Sequence, residues 1–322
     1  MTWITRDASD RALAGPGKHE DPMRRVRGVG AAVERGEPQA DIAVQLLAKA
    51  LADEPRLCEG HVWLVGAGPS DPSQLTLQAF AALTQADVVV HDALVDARVL
   101  ALIPSTTERI FVGKRGGMPS TRQEEICDLL IRLARESRKV IRLKGGDPHV
   151  FGRGGEEILA LAEARIPFRV VPGLTSGLAA LTAAGIPATL RGVNQSLVLV
   201  TGHGADPDAA DAPKWALLAQ LGEPLVIYMA LRNIATITRA LMEGGLTRSV
   251  LAAVIGSVGT GQERVVVAPI GELAQAVAQS NIHAPAIVVI GEIVRHRVTL
   301  QSLLAALPRD NRSQRDQIRL ST

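Results

Sequence analysis

The sequence predicts an α/β protein built from two domains. Short apolar segments alternate with segments of helical spacing, which is typical of a parallel, doubly wound sheet. Several apolar segments end in glycine-rich turns, where open α/β sheets bind ligands. The pattern changes near Arg191, and a second set of strands and helices follows. We therefore expect a polar leader over 1–57, an N-terminal domain over 58–190, a C-terminal domain over 191–307 and a frayed tail over 308–322.

The N-terminal domain is expected to contain five buried strands with helices between them. Helical spacing of apolar residues predicts helices over Leu75–Leu83, from Ser120 to about Ser137, and over Glu156–Arg165. The five strands are predicted at His61–Val65, Asp87–His91, Glu108–Val112, Lys139–Leu143 and Phe168–Val171.

The C-terminal domain is predicted to repeat the mixture of strands and helices. Its helices are expected over Arg232–Glu243, Gly271–Gln279 and Leu300–Leu307, and Ala40–Leu51 in the leader also has helical spacing. The strands are predicted at Leu197–Val200, Pro224–Met229, Leu251–Ile255, Arg264–Val267 and Ala286–Ile290.

The composition excludes several classes of function. Aromatic residues make up 2% of the 322 residues, and the net charge is +2, so neither base stacking nor a global field favours nucleic acid. Cys58 and Cys127 are far apart, which argues against a structural metal site or a disulfide framework. The N-terminus lacks an apolar signal core, and Gly177–Leu190 is too short to span a bilayer. We expect a cytoplasmic protein without membrane partners.

The segment Val140–Glu157 is the strongest candidate for a binding site. An apolar strand enters the turn Gly145-Gly146-Asp147-Pro148, and further glycines precede a helix. Glycines expose backbone amides to a ligand, although a plain strand-to-helix loop is the alternative. Eleven Lys or Arg against five Asp or Glu between Arg109 and Arg153 indicate a basic face. Such a face is either solvated surface or a receptor for a polyanion.

Two other strand ends carry candidate residues. Gly66-Ala67-Gly68 follows the first strand, but the third glycine of a dinucleotide fingerprint is replaced by Asp71, which argues against a nicotinamide site. His91 and Asp92 end the second strand, where active-site groups are often placed. Asp92 is equally suited to cap the next helix.

Eight motifs follow one another along the chain: Val65–Pro72, Val90–Val95, Val112–Gly117, Val140–Glu157, Val171–Ser176, Ala184–Pro187, Val200–His203 and Ile227–Met229. Their order makes the set far more specific than any one motif. Together they resemble the motifs of uroporphyrinogen-III C-methyltransferases in the tetrapyrrole methylase family, and the resemblance covers roughly Gly60 to Arg297.

The resemblance implies the two-domain tetrapyrrole methylase fold, with a parallel-type sheet in the N-terminal lobe, a second α/β lobe and a ligand cleft between them. It implies S-adenosyl-L-methionine as cofactor, S-adenosyl-L-homocysteine as product, and methylation of uroporphyrinogen III at C2 and C7 to give precorrin-2. It also implies a homodimer. Methyl transfer is an in-line displacement, so positioning supplies much of the catalysis.

The resemblance also assigns residues. Asp92 matches the proposed proton acceptor and Lys114 the proposed proton donor. No metal ligand is expected. The substrate carries many carboxylates, so arginines in or near the basic segment are candidates for contacting them, with a surface role as the alternative for each; they are Arg115, Arg142, Arg153 and Arg191. The positions that match cofactor contacts are Pro69, Gly145, Gly146, Asp147, Val150, Thr175, Ser176, Met229 and Val258.

Four residues depart from the family pattern: Ser70, His149, Ala183 and Leu190. Ala183 and Leu190 replace a tyrosine and a histidine near the expected cleft. They leave open a methylase of a later corrin precursor, or a homologue that binds cofactor without turnover.

Overall fold

The computed structural model describes residues 55–113, 121–203 and 214–305. The helical segment expected at 40–51 and the tail from 308 lie outside the described residues. The expected α/β class is confirmed, because two five-stranded sheets are packed with helices. The strands of the first sheet lie between 62 and 171, and those of the second between 198 and 290. The domain boundaries at 57, 190 and 307 stay predictions.

The first sheet has five strands, each within two residues of its prediction: β1 (Val62–Gly66), β2 (Val88–His91), β3 (Glu108–Phe111), β4 (Val140–Lys144) and β5 (Phe168–Val171). The sheet is entirely parallel and has the strand order β3-β2-β4-β1-β5. The chain leaves β1 towards one side of the sheet and leaves β4 towards the other, so this topology predicts a crevice between their carboxyl ends, where such sheets bind ligands.

Helices cover both faces of the first sheet. They are α1 (Leu77–Leu83), α2 (Ala97–Leu100), α3 (Gln123–Arg135) and α4 (Gly154–Glu163). Val62, Leu64 and Val90 pack against α3 and α4 on one face, while Trp63 and Val65 pack against α1 and α2 on the other. The short helix α2 was not predicted from the sequence.

The second sheet contains β6 (Val198–Thr201), β7 (Leu225–Tyr228), β8 (Leu251–Gly256), β9 (Arg264–Pro269) and β10 (Ala286–Ile290). It is mixed and has the strand order β6-β7-β10-β8-β9. Among its described pairs, β6 and β7 run parallel and the others are antiparallel.

Helix α5 (Ser176–Ala183) follows β5 of the first sheet but packs on the second. Its buried Ala179, Ala180 and Leu181 share a core with Val226 and Tyr228 of β7. The sequence did not predict this helix, because its alanine-rich segment has little polar contrast to mark a face. The remaining helices are α6 (Trp215–Gln220), α7 (Ile234–Glu243), α8 (Leu273–Gln279) and α9 (Arg295–Ala305). Among the described helices, none is long and apolar enough to span a membrane.

Candidate active site

Three turns meet at the carboxyl edge of the parallel sheet, after β1, β4 and β5. A Cβ atom at Gly66 would lie 2.6 Å from the Cα atom of Gly173, and one at Gly173 would overlap the carbonyl oxygen of Gly146. Gly68 and Gly146 exchange backbone hydrogen bonds of 3.1 and 2.8 Å. These four residues, which we term the glycine cluster, bring the backbones closer than side chains would permit.

Asp147 ties two of these turns together. Its Oδ1 accepts a hydrogen bond from the amide of His149 at 2.8 Å, and its Oδ2 accepts one from Gly173 at 3.1 Å. A carboxylate has further lone pairs, so Asp147 retains capacity for an additional donor. The preceding Gly146 has a φ of 68°, and a Cβ there would lie 3.7 Å from the amide nitrogen of Ser176. Gly146, Asp147 and Ser176 therefore lie side by side.

Tyr228 connects the second sheet to this region. Its hydroxyl lies 2.8 Å from the Thr175 hydroxyl and accepts a hydrogen bond from the Gly177 amide at 3.0 Å. Burial raises the pKa of Tyr228, so the neutral phenol is favoured. The next residue, Met229, has a φ of 55° and is 51% exposed. This backbone conformation is uncommon for a residue with a side chain. It turns the chain out of the sheet directly after Tyr228.

The remaining expected cofactor positions join the same neighbourhood. A Cβ at Gly259 would lie 3.3 Å from the carbonyl oxygen of Pro69, which places the turn containing Val258 beside the first sheet. Buried Val258 and partly buried Val150 share a core with Tyr228. All nine expected cofactor positions are thus linked through contacts or chain neighbours, although their binding role stays a prediction.

The helix-cap interpretation of Asp92 is wrong, because the next helix, α2, is capped by Asp96, and the active-site role of Asp92 stays a prediction. Asp92 Oδ1 accepts a hydrogen bond from the Leu94 amide at 3.1 Å, which is a local turn contact. Its Oδ2 faces Arg142 Nη2 at 3.4 Å, and the side chain is 25% exposed. One oxygen therefore fixes the side chain while the residue remains accessible. Lys114 and Arg115 lie outside the described residues.

Arg142 is placed differently from the substrate-facing position that we expected. Its side chain is 3% exposed, and its Nε donates to Glu157 Oε1 at 3.0 Å. Lys144 Nζ donates to the same oxygen at 3.1 Å. Burial, followed by the charge of Arg142, lowers the pKa of Lys144. Direct contact between Arg142 and a substrate carboxylate does not fit this burial.

Three residues of this region were not predicted as site residues from the sequence: Lys144, Glu157 and Tyr228. A signal was present for Lys144, because Arg142 and Lys144 alternate with apolar residues and so share one face of β4. Two cations on one face of a buried strand require a buried anion. For Tyr228 the signal was weaker: the only tyrosine of the chain ends a buried strand beside Met229.

Two other expected substrate contacts, Arg153 and Arg191, lie at the surface. Arg153 is 57% exposed and holds the carboxylate of Glu156 through two hydrogen bonds of 2.8 and 2.7 Å. Arg191 is exposed. Ala183 and Leu190, which depart from the family pattern, are partly buried against the core that contains Tyr228.

Comparison with known proteins agrees with this geometry. Residues 61–274 match the family model of Tetrapyrrole (Corrin/Porphyrin) Methylases. A uroporphyrinogen-III C-methyltransferase from Sinorhizobium sp is 46% identical over 246 residues, which is 76% of this chain and 88% of the relative. A siroheme synthase from Azotobacter vinelandii is 44% identical over 255 residues, covering 79% of this chain but 54% of the relative. The chain therefore spans about half the length of that synthase.

A solved structure shows the same fold. It is uroporphyrin-III C-methyl transferase from Thermus thermophilus complexed with S-adenyl homocysteine, at 40% identity and a TM-score of 0.63, covering 73% of this chain and 99% of that one. The expected family resemblance is confirmed by the family match over most of the described residues and by the identity to full-length relatives. The chain belongs to the tetrapyrrole (corrin/porphyrin) methylases.

Proposed function

We propose that this protein is an S-adenosylmethionine-dependent methyltransferase that methylates uroporphyrinogen III at C2 and then C7, giving precorrin-2. The observation that carries the proposal is the glycine cluster at the crevice of a chain that is 46% identical to a uroporphyrinogen-III C-methyltransferase. The Thermus thermophilus protein of the same fold was solved with S-adenyl homocysteine, which supports the choice of cofactor.

The residues at the crevice fit the cofactor. Gly146 leaves the main chain open for close approach, since an added Cβ there would meet no atom closer than 3.7 Å, whereas one at Gly145 would lie 2.8 Å from the Cβ atom of Leu94. Asp147 has acceptor capacity for the ammonium of an amino acid. Thr175 and Ser176 border Gly146. Exposed Met229 offers a soft apolar surface to the rest of the cofactor. When bound, S-adenosylmethionine supplies an electrophilic methyl group.

Asp92 is proposed to accept the proton that leaves the pyrrole α-carbon. Its carboxylate is positioned by the Leu94 amide and faces the Arg142 guanidinium. A positioned carboxylate is a suitable base for such a transfer. Lys114 is proposed as the proton donor, and Arg115, Arg153 and Arg191 as contacts for substrate carboxylates.

The test is incubation of uroporphyrinogen III, kept reduced, with S-adenosylmethionine and the full chain, followed by mass spectrometry. Gains of one and then two methyl masses are expected. If no methyl is transferred to uroporphyrinogen III but a later corrin precursor is methylated, the substrate assignment is wrong. Calorimetric binding of S-adenosylhomocysteine without transfer to any tetrapyrrole would instead indicate a non-catalytic homologue.

We further propose that the enzyme works as a homodimer in the cytoplasm. The family resemblance supports the dimer. Light scattering on the full chain should give twice the 34.0 kDa chain mass. A monomer that methylates its substrate would remove the dimer from the proposal and leave the reaction intact.

A further inference from the structure

We infer that Glu157 is a positioning residue for Asp92 and acts through Arg142. The inference rests on the proposed function, because Asp92 is the proposed proton acceptor. Glu157 lies in the first turn of α4 and is completely buried, fifteen residues after Arg142. It does not contact Asp92 in the described structure; the guanidinium of Arg142 lies between them. We term Arg142, Lys144 and Glu157 the buried charge cluster.

Glu157 gathers three donors on a single oxygen. Its Oε1 accepts from Arg142 Nε at 3.0 Å, from Lys144 Nζ at 3.1 Å and from Gln123 Nε2 at 3.1 Å. Arg142 Nη1 donates to the carbonyl oxygens of Val90 and Leu143 at 3.4 and 3.2 Å. These contacts fix the guanidinium plane. The remaining terminal nitrogen, Nη2, is thereby held against Asp92 Oδ2.

The charges around Asp92 explain why a buried carboxylate is needed behind Arg142. Asp92 is faced by Arg142 and Lys144 from β4 and by its neighbour His91, which itself lies near Arg109. Without Glu157, two buried cations would act on the single carboxylate of Asp92. With Glu157, the cations are shared between two anions. Glu157 therefore offsets part of the positive charge that faces the proposed base.

A role in stability alone gives a weaker account of this cluster. Buried ion pairs seldom stabilise a fold more than apolar residues of similar volume would. The second oxygen of Glu157, Oε2, is buried and has no hydrogen-bond partner among the described residues. A residue that only anchored the fold would be expected to use both oxygens. The arrangement is accounted for if the charge of Glu157 is what matters.

Because Oε2 has no hydrogen-bond partner among the described residues, Glu157→Gln is a useful test. Glutamine can place its carbonyl oxygen at the Oε1 position and accept the same three hydrogen bonds, so the substitution removes the charge. It also places an amide NH2 group at the buried Oε2 position, and thermal unfolding measures the cost of that group in stability. We expect kcat for uroporphyrinogen III to fall about tenfold, within the range of couplings measured inside shared hydrogen-bond networks. The affinity for S-adenosylhomocysteine should be unchanged, and the acidic limb of the pH–rate profile should move to lower pH.

A double mutant separates positioning from general damage. In an Asp92→Asn background, Glu157→Gln should cost almost nothing further in kcat, because the group it positions is gone. The matched control is Glu108→Gln, which removes a carboxylate paired with Arg138 at 2.9 Å at the opposite end of the same sheet. This control should leave kcat and the pH profile unchanged. Thermal unfolding of each variant establishes that it is folded under the assay conditions.

Additive losses in the double mutant, or an unmoved acidic limb, would overturn the inference while the wild type still methylates its substrate. If the folded Glu157→Gln protein lost cofactor affinity in parallel with kcat, Glu157 would be a structural residue. An inactive wild type would refute the proposed function instead. If Glu157→Gln fails to fold, Lys144→Gln tests the same charge balance from the cation side and should move the acidic limb to higher pH.

Discussion

The two sheets contribute different kinds of chemical group to one site. The carboxyl edge of the first sheet contains the glycine cluster and, behind it, the buried charge cluster. The strands of the second sheet bury only apolar side chains and the phenol of Tyr228. Near the site this sheet offers a neutral hydroxyl, a thioether and the aliphatic Val258. The first sheet therefore contributes the buried charged groups of the site, and the second sheet contributes neutral and apolar groups.

This division suggests separate tasks. Ionised groups held in a low-dielectric interior affect proton transfer strongly, whereas apolar and neutral groups mainly set how well a ligand fits. We therefore expect substitutions at the charged edge of the first sheet to change turnover more than binding. Substitutions on the second sheet should change cofactor affinity and stability more than the chemistry.

Asp92→Asn is the substitution with the largest expected effect on turnover. The amide keeps an oxygen for the Leu94 amide but cannot accept a proton, so we expect kcat to fall by about 10²–10⁴-fold, the usual contribution of a general base. Mass spectrometry of methylated product gives kcat, and calorimetry gives the affinity for S-adenosylhomocysteine. The affinity should stay within a factor of about two, since Asp92 is expected to act on substrate only.

Equal losses of turnover and cofactor affinity in Asp92→Asn would contradict the division between the sheets. In that case Asp92 would be a turn residue that shapes the site, which is the role its contact with Leu94 already provides. Full activity would remove it from the mechanism altogether.

Gly173→Ala should be the most damaging small substitution for binding. The added methyl group would overlap the carbonyl oxygen of Gly146 and press on Gly66, and both neighbours are backbone that cannot rotate away. Overpacking of this kind costs about 1–3 kcal/mol of unfolding free energy. Calorimetry with S-adenosylhomocysteine should also show weaker binding, because the turn after β4 must move.

Gly155→Ala is the matched control for that substitution. Gly155 lies in the first turn of α4, and a Cβ there would meet nothing within 4 Å. Alanine should leave cofactor affinity unchanged and raise stability slightly, by up to about 1 kcal/mol, through its better helix propensity. Similar losses in both variants would mean that the close approach of Gly173 to Gly146 is not what limits binding.

Some features of the fold and the site can be predicted from local sequence, whereas others depend on contacts between distant parts of the chain. Strand β2 was predicted to within a residue because a continuous apolar run marks a buried parallel strand. The glycine turns were recognised because glycine has a local conformational reason to be there. Arg142 was misplaced because its exposure depends on Glu157, a partner from a neighbouring helix that no local pattern reveals. The contact between Thr175 and Tyr228 spans 53 residues and needed the fold.

Tyr228→Phe tests the second sheet. The ring contact with Phe151, at 4.8 Å between centroids, is retained, but the hydroxyl that serves Thr175 and the Gly177 amide is lost. Leaving a buried donor without a partner costs about 1–3 kcal/mol. We expect a lower melting temperature and weaker binding of S-adenosylhomocysteine, with kcat at saturating cofactor nearly unchanged.

Thr238→Val provides the comparison for Tyr228→Phe. Its buried hydroxyl donates to the carbonyl oxygen of Ala235 within α7, away from Thr175. Its removal should alter stability by less than about 1 kcal/mol and leave cofactor affinity unchanged. If Tyr228→Phe lowers kcat and saturating cofactor does not restore it, the second sheet affects the chemistry as well as cofactor affinity. That result would contradict the division between the two sheets.

The smallest expected effect concerns His91, at the end of β2 beside Asp92. Burial lowers its pKa from the usual 6.5, because the charged imidazolium is poorly solvated there. As the pH falls through 6.5, the unfolded chain therefore binds a proton that the folded chain resists. Stability contributed at neutral pH is lost over the interval between 6.5 and the lower folded-state pKa.

His91→Phe removes this titration while keeping an aromatic ring against Phe111, whose centroid lies 5.5 Å from that of His91. Thermal unfolding of both proteins should therefore show the wild type losing more stability than the variant on acidification from about pH 7.5 to about pH 5. Parallel losses in the two proteins would mean that His91 is solvated in solution. The first-sheet edge would then be more open to water than its buried charges imply, and the contrast with the second sheet would weaken.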